Sequence, residues 1–571
     1  MTISVEYIKK NKVMTEVAVV DFFKIKELGP GPVISAIFRQ LGFYDIINRM
    51  LTWDEKQCLH SPATHILAII INILSGRRVA LYKVHKFFEE KDTEILFGEG
   101  VKPSHLNDDA LSRTLDKFYD ANPKKVFSTL ALKALMHENI DAKILHGDTT
   151  ARLLYGEYDE GEEEGLLKIT WGYNKEHRTD LKQFKVGIVA TKEGFPIFGE
   201  VEDGNLDDKS WNKNLIENFA ENITPDILKD VVYIADSALV TGTNLSLIEK
   251  KNLKFISRLP STFNLTSELI EEAFSLEEGW EEYSPHENKT SYKLKEFEAE
   301  IFNRRYRMVV VCPLTFDKRK LKGFESRLKK EKEKLEKEIG ELGKIGFACE
   351  ADAREAFNRF LKEKQNSIYK IKGDIELCLE KQKRNKRGRP SKDEQIQQKP
   401  VYRIKVMLEE PDEETLKREK QRINSFVLIT NIFDGYAAQS ILREYKEQTV
   451  VENRFRFIKN PLYVGPLFVK KSQRLEALSY VVLIALLIYI VIQIRVRCAL
   501  KREKEPLELV GKVKNFEPTG GRILELFEYV KILKVSESDK IKRYLPEKYI
   551  KELRRVMNFL KIHFDIFTNP L

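Results

Sequence analysis

Two aspartates lie where predicted strands end. Asp148 stands where one strand ends in GDTT, and Asp236 stands where another ends in ADSAL. At these positions two carboxylates can converge on one edge of a sheet. Either aspartate taken alone is explained more simply as a helix cap or a turn residue.

A third acid, Glu452, lies in the segment YKEQTVVENRFRFIK, within one long predicted helix from about 435 to 459. Tyr445, Glu452 and Lys459 follow one another at intervals of seven residues. Such residues stay near one helical stripe, which drifts by only about 20° per step. One face of this helix could therefore present an acid beside a base.

The segments around these acids predict a mixed α/β fold, because three antiparallel strands are followed by a helix near 211–222 and by further strands. The strand-like segments are 142–156, 183–191, 196–204, 230–239, 253–260, 401–408 and 425–431. We expect one mixed sheet flanked by helices.

The chain has 571 residues, more than one hydrophobic core normally supports, so we expect an interrupted core with added domains. The expected order is a helical N-terminal domain at 1–140, the first part of the core at 141–261, an insertion at 262–422, the second part of the core at 423–500 and a helical C-terminal region at 501–571.

The insertion contains a segment rich in Lys and Glu between 317 and 386. Apolar residues at helical spacing predict an antiparallel helical hairpin there. These residues are Leu321, Leu328, Leu335 and Leu342, followed by Phe357, Leu361, Ile368 and Ile375. A charged hairpin of this kind could be a spacer, a dimer contact or a DNA-contacting element.

Composition limits the class of protein. Hydrophobic residues make up 42% of the chain, enough for a large core, and the formal net charge of +9 favours a polyanionic partner. The five cysteines are scattered and never arranged as CxxC, so the sequence indicates neither a disulfide framework nor a cysteine-zinc site and fits a reducing cytoplasm.

The segment LSYVVLIALLIYIVIQI at 478–494 is nearly long and apolar enough to span a bilayer. A helix buried in a large core can also be apolar on every side. We favour the buried helix and expect no membrane association.

The segment from Tyr445 to Lys459 resembles the Y-x2-R-x3-E-x6-K signature of DDE transposases in the insertion-sequence-four superfamily. Tyr445, Glu452 and Lys459 occupy their places, and Gln448 stands where the signature has arginine. The GDTT, GNLDD, IADS, ISRLP and LITN segments are also similar to blocks of that family.

The resemblance implies an RNase H-like core in which Asp148, Asp236 and Glu452 hold divalent metal. Hard carboxylate oxygens suit Mg²⁺ or Mn²⁺, and two ions roughly 3.5–4 Å apart are expected. With water as nucleophile the site would nick DNA at an element end. With the freed 3′-hydroxyl it would attack the second strand or the target.

The same resemblance implies that Tyr445 and Lys459 position DNA phosphates. Gln448 would lack the phosphate contact of the arginine that it replaces. Arg454 and Arg456, on nearby helical turns, are candidates to restore that contact.

Further DNA binding is expected outside the core. Arg387 and Arg389 lie in RGRP, which resembles an AT-hook that enters a narrow minor groove, although a flexible basic linker explains this segment as well. The N-terminal domain would read the terminal repeats. The resemblance implies double-stranded element ends and target DNA as partners, a homodimer, and a bacterial cytoplasmic protein that joins the nucleoid when bound to DNA.

Several alternatives stay open. A domesticated or inactive derivative would bind DNA without cutting it, an RNase H-like nuclease would cut without joining, and a membrane-associated protein would use segment 478–494. His146 and His177 have no second histidine or cysteine at metal-ligand spacing, so we assign neither to a metal.

Overall fold

A computed structural model of the chain describes residues 2–9, 12–155, 165–174, 176–222, 230–276, 278–285, 290–316, 318–365, 367–381, 398–459, 471–537 and 540–570. The chain forms two compact units. The first comprises Met1–Ser257, Thr430–Ile432 and Arg443–Leu571, and the second comprises Arg258–Ile429 and Phe433–Leu442. The expected insertion at 262–422 lies within the residue range of the second unit.

The first unit begins with two antiparallel strands, β1 (Thr2–Lys9) and β2 (Lys12–Glu27). The expectation of an all-helical N-terminal domain is wrong for these residues. Their alternating segment KVMTEVAVVDFFKIKE has the two-residue period of a strand. Seven helices follow: α1 (Gly31–Gln40), α2 (Phe43–Met50), α3 (Pro62–Leu74), α4 (Val84–Glu89), α5 (Thr93–Phe97), α6 (Asp108–Asp120) and α7 (Pro123–Glu138).

The predicted mixed sheet is confirmed in the first unit. Its elements are β3 (Ile144–Leu153), β4 (Gln183–Thr191), β5 (Pro196–Glu202), α8 (Asp208–Asn222), β6 (Val232–Ile234), α9 (Gly242–Lys250) and β7 (Lys254–Arg258). The strand order is β5-β4-β3-β6-β7. The first three strands are antiparallel, whereas β6 is parallel to both β3 and β7.

The second unit has its own strands, in the order β13-β10-β9-β8, and a separate two-stranded ribbon of β11 and β12. Its elements are α10 (Asn264–Ser275), β8 (Glu281–Tyr283), β9 (Tyr292–Ile301), β10 (Arg304–Pro313), α11 (Lys318–Leu342), α12 (Glu350–Glu363), β11 (Lys370–Lys381), β12 (Gln398–Glu409), α13 (Glu413–Asn424) and β13 (Phe426–Thr430).

The predicted helical hairpin is only partly correct. α11 and α12 form, and Leu335 is buried as its heptad position suggests. The second helix ends at Glu363, however, and Ile375 lies on β11 opposite Ile404. Alternation in KIKGDIELCLEK is a strand pattern, and cross-strand pairing over twelve residues outweighs the helical spacing of a few isoleucines.

The chain then returns to the first unit through α14 (Ala438–Lys446), α15 (Thr449–Lys459) and α16 (Ser472–Glu503). The single long helix expected from 435 to 459 is wrong, because the helix is interrupted at residues 447 and 448. Three β-branched residues, Thr449, Val450 and Val451, follow the break. Such residues lose side-chain freedom in a helix and weaken its continuation.

The C-terminal region was expected to be helical, but it contains both strands and helices. It contains β14 (Leu507–Leu509), β15 (Val513–Asn515), α17 (Gly520–Glu525), β16 (Lys531–Glu537), β17 (Lys540–Tyr544) and α18 (Glu547–Leu560). β16 pairs with β2, which gives a four-stranded sheet in the order β1-β2-β16-β17.

α16 is the apolar segment predicted from the sequence, and it is buried. By length and composition this helix could cross a membrane, but 94% of its most apolar window lies inside the protein. It contacts α3, α6 and α7. Charged residues fix its two halves, since Arg474 pairs with Asp116 at 2.6 Å and Arg495 pairs with Glu138 at 2.7 Å. The expectation of a buried core helix is confirmed.

Two carboxyl groups near the first turn of α16 couple stability to pH. Burial raises the pKa of Glu476 to about 7, and the charge of Asp203 adds to the rise. Burial also raises the pKa of Glu202 to about 7, with Glu200 as the next cause. From pH 4.5 to about 7 the unfolded chain ionises these groups while the folded chain keeps them protonated. Stability therefore falls as pH rises through this window and levels off above it.

Glu476→Gln is expected to stabilise the protein at mildly alkaline pH and to have little effect at acidic pH, because the amide never ionises. The gain in the free energy of unfolding is at most roughly 3 kcal/mol. Thermal unfolding at the two pH values measures it, with the exposed Glu55→Gln as a control. A gain of the same size at both pH values would contradict the coupling.

Candidate active site

The structure brings Asp148 and Asp236 together through strand register. β3 and β6 are parallel neighbours, with Ile144 opposite Val232 and His146 opposite Ile234. Asp148 and Asp236 each lie two residues beyond this last pair. Neighbouring strands lie about 4.8 Å apart. The two carboxylates thus leave adjacent strands at the same level of the sheet.

Backbone donors hold both carboxylates in place. Asp148 Oδ1 accepts a hydrogen bond from the Thr149 N–H at 2.8 Å, and Asp236 Oδ1 accepts one from the Ala238 N–H at 3.0 Å. Asp236 caps the short 3₁₀ turn Ser237–Leu239. It is therefore the cap residue that the sequence suggested. Its role as a metal ligand stays a prediction.

Hydrogen-bonded polar side chains pack against one face of β3. Gly147 leaves room for the Tyr233 ring, which a Cβ atom would strike. The Tyr233 hydroxyl donates to Asn212 Oδ1 at 2.8 Å. Burial raises the pKa of Tyr233 well above its ordinary value, and the charges of Asp236 and Asp148 raise it further. Its ring packs against Gly147, the residue before Asp148.

On the same face the segment GNLDD anchors β3. Asp208, at the start of α8, accepts hydrogen bonds from Thr149 Oγ1 at 2.6 Å and from Lys185 Nζ at 3.0 Å. The resemblance covers GNLDD as a block and implies no role for Asp208. No local signal in the sequence identifies this bond, because its partners are 59 residues apart.

The opposite face of β3 carries Asp148 and Arg152, because side chains alternate along a strand. Arg152 Nη1 donates to the Ile458 carbonyl on α15 at 2.8 Å. Arg454, also on α15, donates to the carbonyls of Glu193 and Gly194 at 3.1 and 2.8 Å. The helix that carries the third acid is therefore fixed to the sheet face on which Asp148 lies.

Glu452 is exposed on α15. The buried residues Arg454, Phe457 and Ile458 lie on the other side of this helix. Within the described ranges, no three His, Cys, Asp or Glu side chains are grouped closely enough to hold a metal ion. The structure thus sets the two aspartates at the same level of neighbouring strands and places Glu452 on a helix fixed to β3, with no three-carboxylate cluster among the described residues.

The residues expected to bind DNA lie on different elements, and some lie outside the described residues. Tyr445 lies in the last turn of α14 and Gln448 in the break, where its N–H donates to the Tyr445 carbonyl at 3.2 Å. The expected single stripe through Tyr445 and Glu452 is therefore interrupted. The side chains of Arg456 and Lys459, and the whole of Arg387 and Arg389, lie outside the described residues.

Arg454 has a different role from the expected phosphate contact. Its side chain is only 8% exposed, and burial lowers its pKa to about 10. Its guanidinium bonds to two backbone carbonyls of the β4–β5 turn, so it anchors α15. The helical pattern could not show this, because the turn lies some 260 residues earlier in the chain.

The two histidines that were assigned to no metal lie in different environments. His146 is fully buried, and burial lowers its pKa to about 4, so it is neutral at physiological pH. His177 is exposed. Neither belongs to a group of metal-ligating side chains among the residues described here.

Comparison with protein families gives two matches. Residues 140–488 match a family described as "Transposase DDE domain", and residues 23–132 match a "Domain of unknown function (DUF4277)". The first match covers more than half of the chain and includes both aspartates and Glu452. Curated proteins give no match.

Proposed function

This chain belongs to the transposase DDE domain family, and from that membership we propose that it cleaves DNA at the ends of an insertion sequence and transfers the freed strand to a target. The observation that carries the proposal is the register of β3 and β6, which sets Asp148 and Asp236 side by side. Family membership itself supports DNA transposition in general. The strand-transfer chemistry and the residue roles are the proposal.

The family generally uses divalent metal ions. The aspartate pair fits such an ion in donor type, since carboxylate oxygens are the ligands that Mg²⁺ and Mn²⁺ prefer. Two neighbouring carboxylates also repel each other unless a cation lies between them. Asp148 and Asp236 would hold the metal, and Glu452 would complete the ligand set. A bound pair of ions would supply an activated nucleophile and stabilise the leaving oxygen.

Other residues of the chain would keep these acids in position. The Thr149–Asp208–Lys185 bonds keep β3 in position, so Asp148 stays at a fixed level beside Asp236. Arg454 and Arg152 fix α15 to the sheet, which limits the distance that Glu452 would have to move.

We assign double-stranded DNA as the partner, both at the element's inverted ends and at the target. A homodimer would bring two ends together, and the protein would act in the bacterial cytoplasm on the nucleoid. Basic net charge supports attraction to DNA phosphates. The burial of α16 supports a protein that is not held at a membrane.

The purified full chain is expected to nick the DNA that borders its coding sequence when Mg²⁺ or Mn²⁺ is added, and to join the freed 3′ end to a target duplex. Denaturing gels of end-labelled DNA detect both products. Chelation with EDTA should remove them, and Ca²⁺ should support binding without cleavage.

The same gels separate the alternative functions. Binding without metal-dependent nicks would indicate a domesticated DNA-binding protein. Nicks without joined products would indicate an RNase H-like nuclease. Either result would overturn strand transfer.

A further inference from the structure

Exposed apolar side chains form a row across three strands of the β1-β2-β16-β17 sheet. Leu533 on β16 is the register partner of Ile25 on β2 and of Tyr544 on β17. Directly paired residues of antiparallel strands project from the same face. The exposed fraction is 67% for Ile25, 37% for Leu533 and 42% for Tyr544. Phe23, two residues before Ile25 and also exposed, completes what we call the outer face of this sheet.

The opposite face of the sheet is charged, and its charges have partners within the chain. Lys534 and Arg543 are register partners on that face, and they approach Asp92 at 3.3 and 2.8 Å. The side chains of Arg543 and Asp92 are almost fully buried. An antiparallel sheet commonly packs its apolar face inward and leaves its polar face in water. Here the order is reversed, since the charged face packs inward and the apolar face lies in water.

The margins of the outer face are polar. Glu27 and Lys531, the register partners beyond Ile25 and Leu533, form an ion pair at 2.6 Å. Lys542, the register partner of Val535, lies at the other end of the face. An apolar centre with a polar rim is the usual composition of a protein–protein interface.

The centre of the outer face selects the kind of partner. Ile25, Leu533, Phe23 and Tyr544 supply no positive charge, so this centre does not suit a DNA phosphate. It also carries no charge that would repel an identical surface. An apolar patch complements itself, so two copies of the chain can bury it against each other across a two-fold axis.

The size of the sheet also fits a second copy. β2 pairs with β16 from Glu27 to Val20 and with β1 from Val19 to Lys12, so the β1–β2 hairpin continues the sheet past β16. The hairpin and the three-stranded part each cover roughly 250 Å² in projection. Their sum is of the order of the ~800 Å² of accessible surface that each partner buries in a standard interface. A two-stranded hairpin is at best marginally stable by itself, which also favours a covering layer.

We propose that the chain forms a homodimer in which the outer face packs on the outer face of a second copy. The inference rests on the proposed function, which takes the active complex as a homodimer, and it names the surface of that dimer. Sheets packed in this way lie about 10 Å apart and interdigitate their side chains. The catalytic strands β3 and β6 belong to a different sheet and take no part in the contact.

Ile25→Glu and Leu533→Glu each place a carboxylate at the centre of the proposed contact. A buried charge without a partner is strongly unfavourable, so the dissociation constant of the dimer is expected to rise roughly 100-fold or more. Both side chains are exposed in the single chain, so the fold should be preserved. Leu533→Thr, whose β-branched side chain suits a strand, serves if glutamate disturbs β16.

Ile541 provides the matched control. It lies on β17 and is 43% exposed, nearly the same as Tyr544. Its register partner is Ser536, so it projects from the face opposite Leu533 and Tyr544. Ile541→Glu therefore adds the same charge to the same sheet outside the proposed contact.

Sedimentation velocity of the full chain without DNA, over a wide range of protein concentration, is the test. The wild type and Ile541→Glu should sediment as dimers, whereas Ile25→Glu and Leu533→Glu should sediment as monomers. Leu533→Thr should shift the equilibrium in the same direction by a smaller factor. Circular dichroism confirms that each variant is folded.

A wild type that is monomeric at every concentration would overturn the proposed surface. A dimer that both glutamate variants keep, or an equal loss in Ile541→Glu, would do the same. Flotation of a monomeric wild type with phosphatidylcholine vesicles would identify a membrane as the occupant instead.

The cleavage assay separates this surface from the proposed function. If the surface fails, metal-dependent nicking and joining by the wild type would still support strand transfer. If the dimer depends on Ile25 and Leu533 but no DNA is cut, the surface stands and the proposed chemistry fails.

Discussion

Asp148→Asn and Asp236→Asn should each abolish metal-dependent DNA cleavage while DNA binding is retained. A metal site contributes several kcal/mol to the stabilisation of a transition state, so the loss of one ligand is expected to lower the rate by roughly 10³-fold or more. Asparagine keeps the side-chain size and one oxygen. In Asp236→Asn that oxygen can still accept from the Ala238 N–H, so the local fold is preserved.

The measurement is single-turnover cleavage of end-labelled DNA in Mg²⁺, with duplex binding in Ca²⁺ measured in parallel. Asp230→Asn is the matched control, since this exposed aspartate precedes β6 at the end opposite Asp236. Cleavage at the wild-type rate by either active-site variant would disprove the aspartate pair. Loss of both cleavage and DNA binding would instead indicate a folding defect, which thermal unfolding identifies.

Glu452→Gln should cause a comparable loss of cleavage, again roughly 10³-fold. This prediction is the more demanding of the two, because the carboxylate is exposed and does not join the aspartates in the structure. The expected loss follows from the position of α15, which Arg152 and Arg454 fix to the Asp148 face of the sheet. Since Glu452 is exposed, the substitution should hardly change stability.

Glu447→Gln provides the comparison. Glu447 lies five residues earlier, in the break between α14 and α15, and approaches Lys192 at 3.5 Å. It should keep cleavage close to the wild-type rate. If Glu452→Gln cuts normally while both aspartate variants are inactive, the third ligand must be another residue and the resemblance at this position is misleading.

Much of the fold could be predicted from the sequence because local patterns are strong there. Apolar strands followed by acids gave β3 and β6, the alternation on either side of KEGF gave the β4–β5 hairpin, and the apolar run at 478–494 gave the core of α16. These elements follow from side-chain period and hydrophobicity, which each segment carries by itself.

Other predictions failed because long-range partners decide them. β2 is a strand that pairs with β16, about 500 residues later in the chain. Ile375 lies on a strand because Ile404 faces it. The helical stripe through Tyr445 and Glu452 is interrupted at Gln448, where β-branched residues follow. A periodic pattern within one segment cannot report such partners.

The sequence by itself determined which residues could do the chemistry: two aspartates after strands, and a glutamate in a segment that resembles a known signature. Only the tertiary structure decided which of them meet, because strand register sets the distance between residues 88 apart in the chain, Asp148 and Asp236. It also turned Arg454 inward as an anchor that bonds to the β4–β5 turn. Charge and residue type are properties of the sequence, whereas burial and neighbours arise only when distant segments pack together.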